Sequence, residues 1–329
     1  MSSNGPLSLC HGQAYDGAAN IKGKLNGVAT KLLKEEPAAL FVHCLAHCLN
    51  LSLQDTVRVF KPIRDALDLC SEVSKLILWS PKRMQVFLAS KQQFSPDEGN
   101  VRPLCPTRWI IRHGAIESIL NNYKALQDAF QSINEECNDD YGRRAGGCLA
   151  QLDKFETYFG FKVARVVFGA TEQLSVEIQG KNTTLQEDLC TAELTQHHLR
   201  RIRDQISFKA FFKEVKEEAA KFTEEPKLQR FKRAPKRLDD GSLPYRYSTP
   251  EEYFRHQYFE VLEIVAVEIE SHFSQTSLEI PRAIERLLLE ACNLDQEDSE
   301  PTMTTDQPLM GEGTSSAKST SVCIPVKVQ

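Results

Sequence analysis

GQAYDGAANIKG (residues 12–23) and FVHCLAHCLNL (41–51) are the two stretches on which the fold reading turns. Residues 5–15 (GPLSLCHGQAY) read as a short strand running into a loop, with Asp16 and Gly17 at its end. AANIKGKLNGVATKLLKEE (18–36) then places Ile21, Leu25, Val28, Leu32 and Leu33 at helical spacing, and Pro37 stops the pattern. AALFVHC (38–44) is a short apolar run with the length and Phe-Val content of a buried strand, and LAHCLNLSLQDTVRVF (45–60) reads as a second helix. An apolar run, a crossover helix and a second apolar run predict a parallel strand pair within a larger sheet. Two short strands are marginal by themselves, so either helices cover them or the sheet is incomplete.

Beyond residue 60 the pattern changes. SEVSKLILW, PKRMQVFLASKQQ, GAIESILNNYKALQDAFQSI, FKVARVVFGATEQLSVEIQ, LTQHHLRRIRDQISFKAFFKEVKEEAAKF and PEEYFRHQYFEVLEIVAVEIESHF all carry apolar residues at helical spacing. The expectation is a partial strand–helix–strand–helix core over 1–60 and a helical body over 61–293. Breaks are expected at 94–107, 136–147 and 223–250, the last long enough to be functional. Residues 294–329 begin acidic and continue Ser/Thr/Gly-rich; such a tail buries too little apolar surface to fold.

Composition narrows the function classes. The 329 residues are 41% hydrophobic and 26% charged, which is ordinary for a globular protein. A net charge of −5 excludes a nucleic-acid-coating protein, so any DNA contact must come from a local basic patch. No apolar run reaches the ~18–20 residues of a membrane span, and the start lacks the features of a signal peptide. These absences predict an intracellular protein with no membrane partner. Ten cysteines without a CxxC pair fit buried thiols better than a zinc ribbon or a disulfide framework. About ten residues precede the first motif, so a fragment, a short isoform or a degraded gene product is expected.

Four motifs carry candidate chemistry, each beside a plainer reading. Asp16 at a strand end is a common place for a metal ligand; it is equally an N-cap for a helix opening near residue 18. Cys44 and His47 stand three apart, but a zinc site would need ligands from elsewhere, and a hydrogen-bonded histidine beside inert thiols is the simpler reading. Arg108 and Trp109 in PTRWIIRHGAI (106–116) could hold a phosphate and stack on an unpaired base, or anchor a helix start in the core. Arg230, Lys232, Arg233, Lys236 and Arg237 form a basic cluster that suits a nuclear import signal, a phosphate-contacting patch or a solvated loop.

Taken in order, GQAYDGAAN–G, PAALFVHCLAHCLNL and PTRW resemble the hAT superfamily of cut-and-paste DNA transposases over roughly residues 8–275. They are closest to its domesticated branch of zinc finger MYM-type protein 1-like and repressor of the inhibitor of protein kinase-like proteins. The resemblance implies an RNase H-like core interrupted by a large helical insertion. It matches Asp16 to the second acidic residue of the DDE triad. Cys44 and His47 match the C-x-x-H element beside that site, and Arg108 and Trp109 match the R-W pair that handles DNA ends. The resemblance places the first catalytic Asp on an earlier strand, which is not expected in this sequence. Glu260, Glu263, Glu268 and Glu270 lie near the insertion's end, but nothing marks one of them as the triad Glu. The family's N-terminal zinc finger is also absent. One carboxylate cannot hold two Mg²⁺ ions productively. The expectation is therefore a truncated, catalytically silent nuclear protein that retains affinity for DNA, a protein partner or a second copy, with Mg²⁺ bound only if the site is completed. The alternatives are a DDE-type enzyme completed by a longer product or another chain, and a helical interaction module with no DNA role.

Overall fold

The computed structural model describes residues 10, 12–16, 27–104, 110–180, 183–228, 246–274 and 278–297. Among these residues it is predominantly helical, with twelve helices and two parallel strands. The chain divides into two compact units. One comprises 1–47, 180–190 and 274–329, and the other 48–179 and 191–273.

In the first unit, β1 (Gly12–Tyr15) pairs in parallel with β2 (Leu40–His43), in the register Gly12↔Leu40 to Tyr15↔His43. The connection contains α1 (Val28–Glu35), so the expected strand–helix–strand order is present. The helix expected over 18–36 is observed only from Val28, with Gly27 at the N-cap; residues 17–26 lie outside the described set. The same unit holds the first turn of α9 (Leu185–Ile202) and α12 (Glu279–Glu297). Thr184 and Glu187 form a reciprocal capping box: the Glu187 amide donates to Thr184 Oγ1 at 3.2 Å, and the Thr184 amide donates to Glu187 Oε2 at 2.8 Å. Glu285 of α12 accepts from the Leu185 and Gln186 amides at 2.7 and 2.9 Å, satisfying two more donors at that helix start.

The second unit contains the rest of α2 (Leu45–Val59), then α3 (Lys61–Ile77), α4 (Pro81–Phe94), α5 (Ile110–Asn121), α6 (Tyr123–Glu136), α7 (Asp140–Leu152) and α8 (Phe155–Ile178). The rest of α9, α10 (Gln205–Ala219) and α11 (Pro250–Phe273) complete it. Helix α8 is the spine, and α3, α5, α7, α10 and α11 pack on it. Every residue from Tyr158 to Ala164 is buried, so this stretch is enclosed all round rather than on one stripe. Phe159 and Phe254 approach to 4.7 Å between ring centroids, and Phe155 and Phe254 to 5.0 Å, joining α8 to α11. Lys162, 1% exposed, is neutralised by Glu214 and Glu218 of α10 at 2.7 and 2.8 Å.

Three local features differ from the sequence-based expectation. The break at 136–147 shrinks to 137–139, because Asp139 caps Gly142 at 2.9 Å and α7 forms despite its glycines. The run 114–133 is divided at Asn122, whose side-chain amide donates to the Gly99 and Ser118 carbonyls. The run 194–222 is divided before Asp204, which caps α10 through the Ile206 and Ser207 amides. Among the cysteines, burial pushes the Cys70 thiol up to about 12 and the Cys148 thiol up to about 11, so both are inert.

Two predictions follow from the spine. A Cβ on Gly160 would stand 2.7 Å from the Pro62 carbonyl oxygen of α3, so Gly160→Ala should cost about 1–3 kcal/mol, read as a lowered midpoint in urea unfolding. Burial raises the Glu218 carboxyl, but the Lys162 ammonium and the Tyr158 hydroxyl outweigh it and hold the group below its ordinary value. A depressed folded value stabilises above the unfolded carboxylate pKa of about 4.3 and is lost as the pH falls through the folded one. Lys162→Met should therefore flatten the fall of melting temperature between about pH 5 and pH 3; an unchanged slope would show that this network carries no acid sensitivity.

Candidate functional site

The β1–β2 ladder runs one step past the strands. The Cys44 amide donates to the Tyr15 carbonyl at 3.0 Å, so Asp16 and Cys44 leave neighbouring parallel strands at their carboxyl ends. That edge is where sheets of this kind present ligand-binding residues, because the following loops diverge there. Asp16 is exposed, while Cys44 is half-buried. His47 sits in the first turn of α2, half-buried, one turn beyond Cys44.

Gln13 holds this edge in place. Its side chain is buried, and Nε2 donates to the carbonyl oxygens of Ala39 at 2.9 Å and Ala29 at 3.2 Å. One amide thus ties β1 to the first turn of α1 and to the residue preceding β2. The Gln in GQAYDG is a brace, which the motif alone did not reveal. Tyr15 and Phe41 stack across the strands at 6.3 Å, and His43 meets Phe41 edge-on at 4.7 Å.

Gly27 occupies the N-cap of α1. The helix opening near residue 18, which Asp16 was expected to cap, lies outside the described residues. The metal reading does not gain a full ligand set. Among the described residues the one group of three ligand-bearing side chains within 4.8 Å of one another is Asp55, Glu268 and His272. Asp16, Cys44 and His47 do not form such a group. With a single carboxylate at the strand ends, the described residues there do not fit a two-metal Mg²⁺ centre.

The remaining predicted residues divide cleanly. Arg108, Trp109, Arg230, Lys232, Arg233, Lys236 and Arg237 lie outside the described residues. The segment leading to Arg108 is pinned: Val101 is buried, the Arg102 amide donates to Ser118 Oγ at 2.9 Å, and Asn122 holds the Gly99 carbonyl. Of the four glutamates on α11, Glu260 stands 3.6 Å from His256, Glu263 pairs with Arg203 at 3.4 Å and Glu270 pairs with Arg200 at 2.5 Å. Glu268 alone lies in the three-residue ligand group. The Glu-x-x-x-His spacing of 268 and 272 was legible as a shared helical face. Asp55, from α2, was not.

Among the described residues no helix is long and apolar enough to cross a membrane. No family model and no solved structure matches the chain. It is 24% identical over 284 residues to the human protein called 52 kDa repressor of the inhibitor of the protein kinase, covering 83% of this chain and 36% of the relative. The mouse protein of the same name is also 24% identical over 284 residues, covering 83% of this chain and 37% of the relative. The chain thus spans a little over one third of the length of the curated relatives to which it is similar.

Proposed function

We propose that the chain is a transposase-derived, catalytically silent binding protein of hAT type that acts in the nucleus. The observation that carries this reading is the placement of Asp16 and Cys44 at the carboxyl ends of adjacent parallel strands. An RNase H-like core carries its acidic residues at such an edge, and here the edge is followed in sequence by a large helical unit. The similarity to the two repressor proteins supports the same ancestry.

Silence follows from charge. A two-metal phosphoryl-transfer site needs carboxylates from several strands to neutralise and space its ions. Asp16 is one, and the ligand group among the described residues does not include it. What a transposase ancestor would leave is affinity for DNA. Arg108 and Trp109 would supply a phosphate clamp and a stacking surface, and Arg230, Lys232, Arg233, Lys236 and Arg237 a local basic cluster in a chain of net charge −5.

Binding to single-stranded and hairpin DNA, measured at several salt concentrations, tests the reading. Affinity should weaken steeply with salt, and neutralising Lys232, Arg233, Lys236 and Arg237 should flatten that slope. Trp109→Ala should weaken single-strand binding by about 1–3 kcal/mol. No affinity at low salt would leave a helical protein-interaction module as the function. In a cleavage assay with Mg²⁺ or Mn²⁺ the chain should be inert; strand transfer abolished by Asp16→Ala would replace the silent reading with an enzyme completed by a second copy or a longer product.

A further inference from the structure

We propose that Asp55, Glu268 and His272 form a binding site for one divalent transition-metal ion of the zinc class, clipping α2 to α11. The proposal stands independently of the DNA-binding reading.

Glu268 and His272 are one turn apart on the same face of α11, and Asp55 faces them from α2. Their three ligand atoms lie within 4.8 Å of one another. His272 Nε2 stands 3.7 Å from Asp55 Oδ2 and 3.8 Å from Glu268 Oε2. Both are ion-pair distances, longer than a direct hydrogen bond. They are instead close to the edge of a coordination tetrahedron, roughly 3.4 Å for metal–ligand bonds of about 2.1 Å. A small side-chain rotation closes the difference.

The backbone beneath the site is locked. Ser52, fully buried and one turn before Asp55, has its hydroxyl within hydrogen-bonding distance of the Glu268 carbonyl at 3.2 Å and the Cys48 carbonyl at 3.0 Å. The contact joins residues 216 positions apart and aligns the helix carrying Asp55 with the carbonyl of a ligand residue. The second oxygen of Asp55, Oδ1, is held by Arg58 at 3.2 Å, leaving Oδ2 directed at the imidazole. These contacts orient the ligands, as outer-shell partners do in metal sites. One nitrogen and two oxygens suit a first-row divalent ion, whereas magnesium and calcium prefer all-oxygen sets. The three side chains are each about a quarter to a third exposed, so the ion enters from solvent and keeps a water in its open position. Because the three ligands meet only in the folded chain, the ion stabilises the fold by mass action.

Calorimetric titration of the chelator-treated full chain with Zn²⁺ tests the site. One ion should bind per chain and raise the melting temperature. Asp55→Asn and His272→Gln should each weaken binding at least roughly tenfold, whereas a Cys44→Ser, His47→Gln double variant should retain it. Substituting Co²⁺ into the wild-type chain should give an absorption spectrum without a thiolate charge-transfer band, and this readout needs no variant to fold. No stoichiometric uptake, uptake unchanged in the Asp55 and His272 variants, or a thiolate band from the bound Co²⁺ would each overturn the proposal.

Discussion

The enclosure of α8 is the constraint on which the larger unit depends. A helix of 24 residues with an all-round buried segment must be covered by neighbours on every side, and α3, α5, α7, α10 and α11 supply that cover. Two features make the enclosure possible. Gly160 lets α3 come close enough for its backbone to meet α8, and Lys162 carries its charge into the core only because α10 brings two carboxylates to it. The rings of Phe155, Phe159, Phe212 and Phe254 fill the space between α8, α10 and α11 with edge-on and offset contacts. Three of these partners are thus fixed by recognisable interactions: backbone contact for α3, charge neutralisation for α10 and aromatic packing for α10 and α11.

The smaller unit depends on a different economy. Among the described residues its sheet has two short strands, and hydrogen bonds beyond the ladder add to it. Gln13 holds two carbonyls from the connection between the strands, and the Cys44 amide prolongs the pairing to the position where Asp16 emerges. The strand ends are therefore positioned by polar contacts rather than by a broad apolar face.

Much of this architecture was legible in order and kind. Residues 5–15 and 38–44 read as strands, the second on its length and Phe-Val content, and each contains one of the two paired strands, Gly12–Tyr15 and Leu40–His43. The long helices follow from apolar spacing. The divisions at Asn122 and Asp204 were not read, although both are residues that favour caps and turns. Periodicity runs through such positions without a mark, since a side chain that bonds locally to the backbone interrupts a helix without interrupting its apolar stripe. At the strand ends, the sequence placed Asp16 and Cys44 near one another by analogy; the ladder supplies the physical reason.

Sequence by itself determined the local matters: which segments are helical, which two are strands, and that the chain's charge is too acidic to coat nucleic acid. These depend on neighbours within one or two turns, where spacing translates directly into geometry. Tertiary structure alone decided that Gln13 is a brace, that Gly160 is a contact point and that Asp55 joins Glu268 and His272. Each of these joins positions distant along the chain, and only the folded packing of helices and strands brings such positions within a few ångströms.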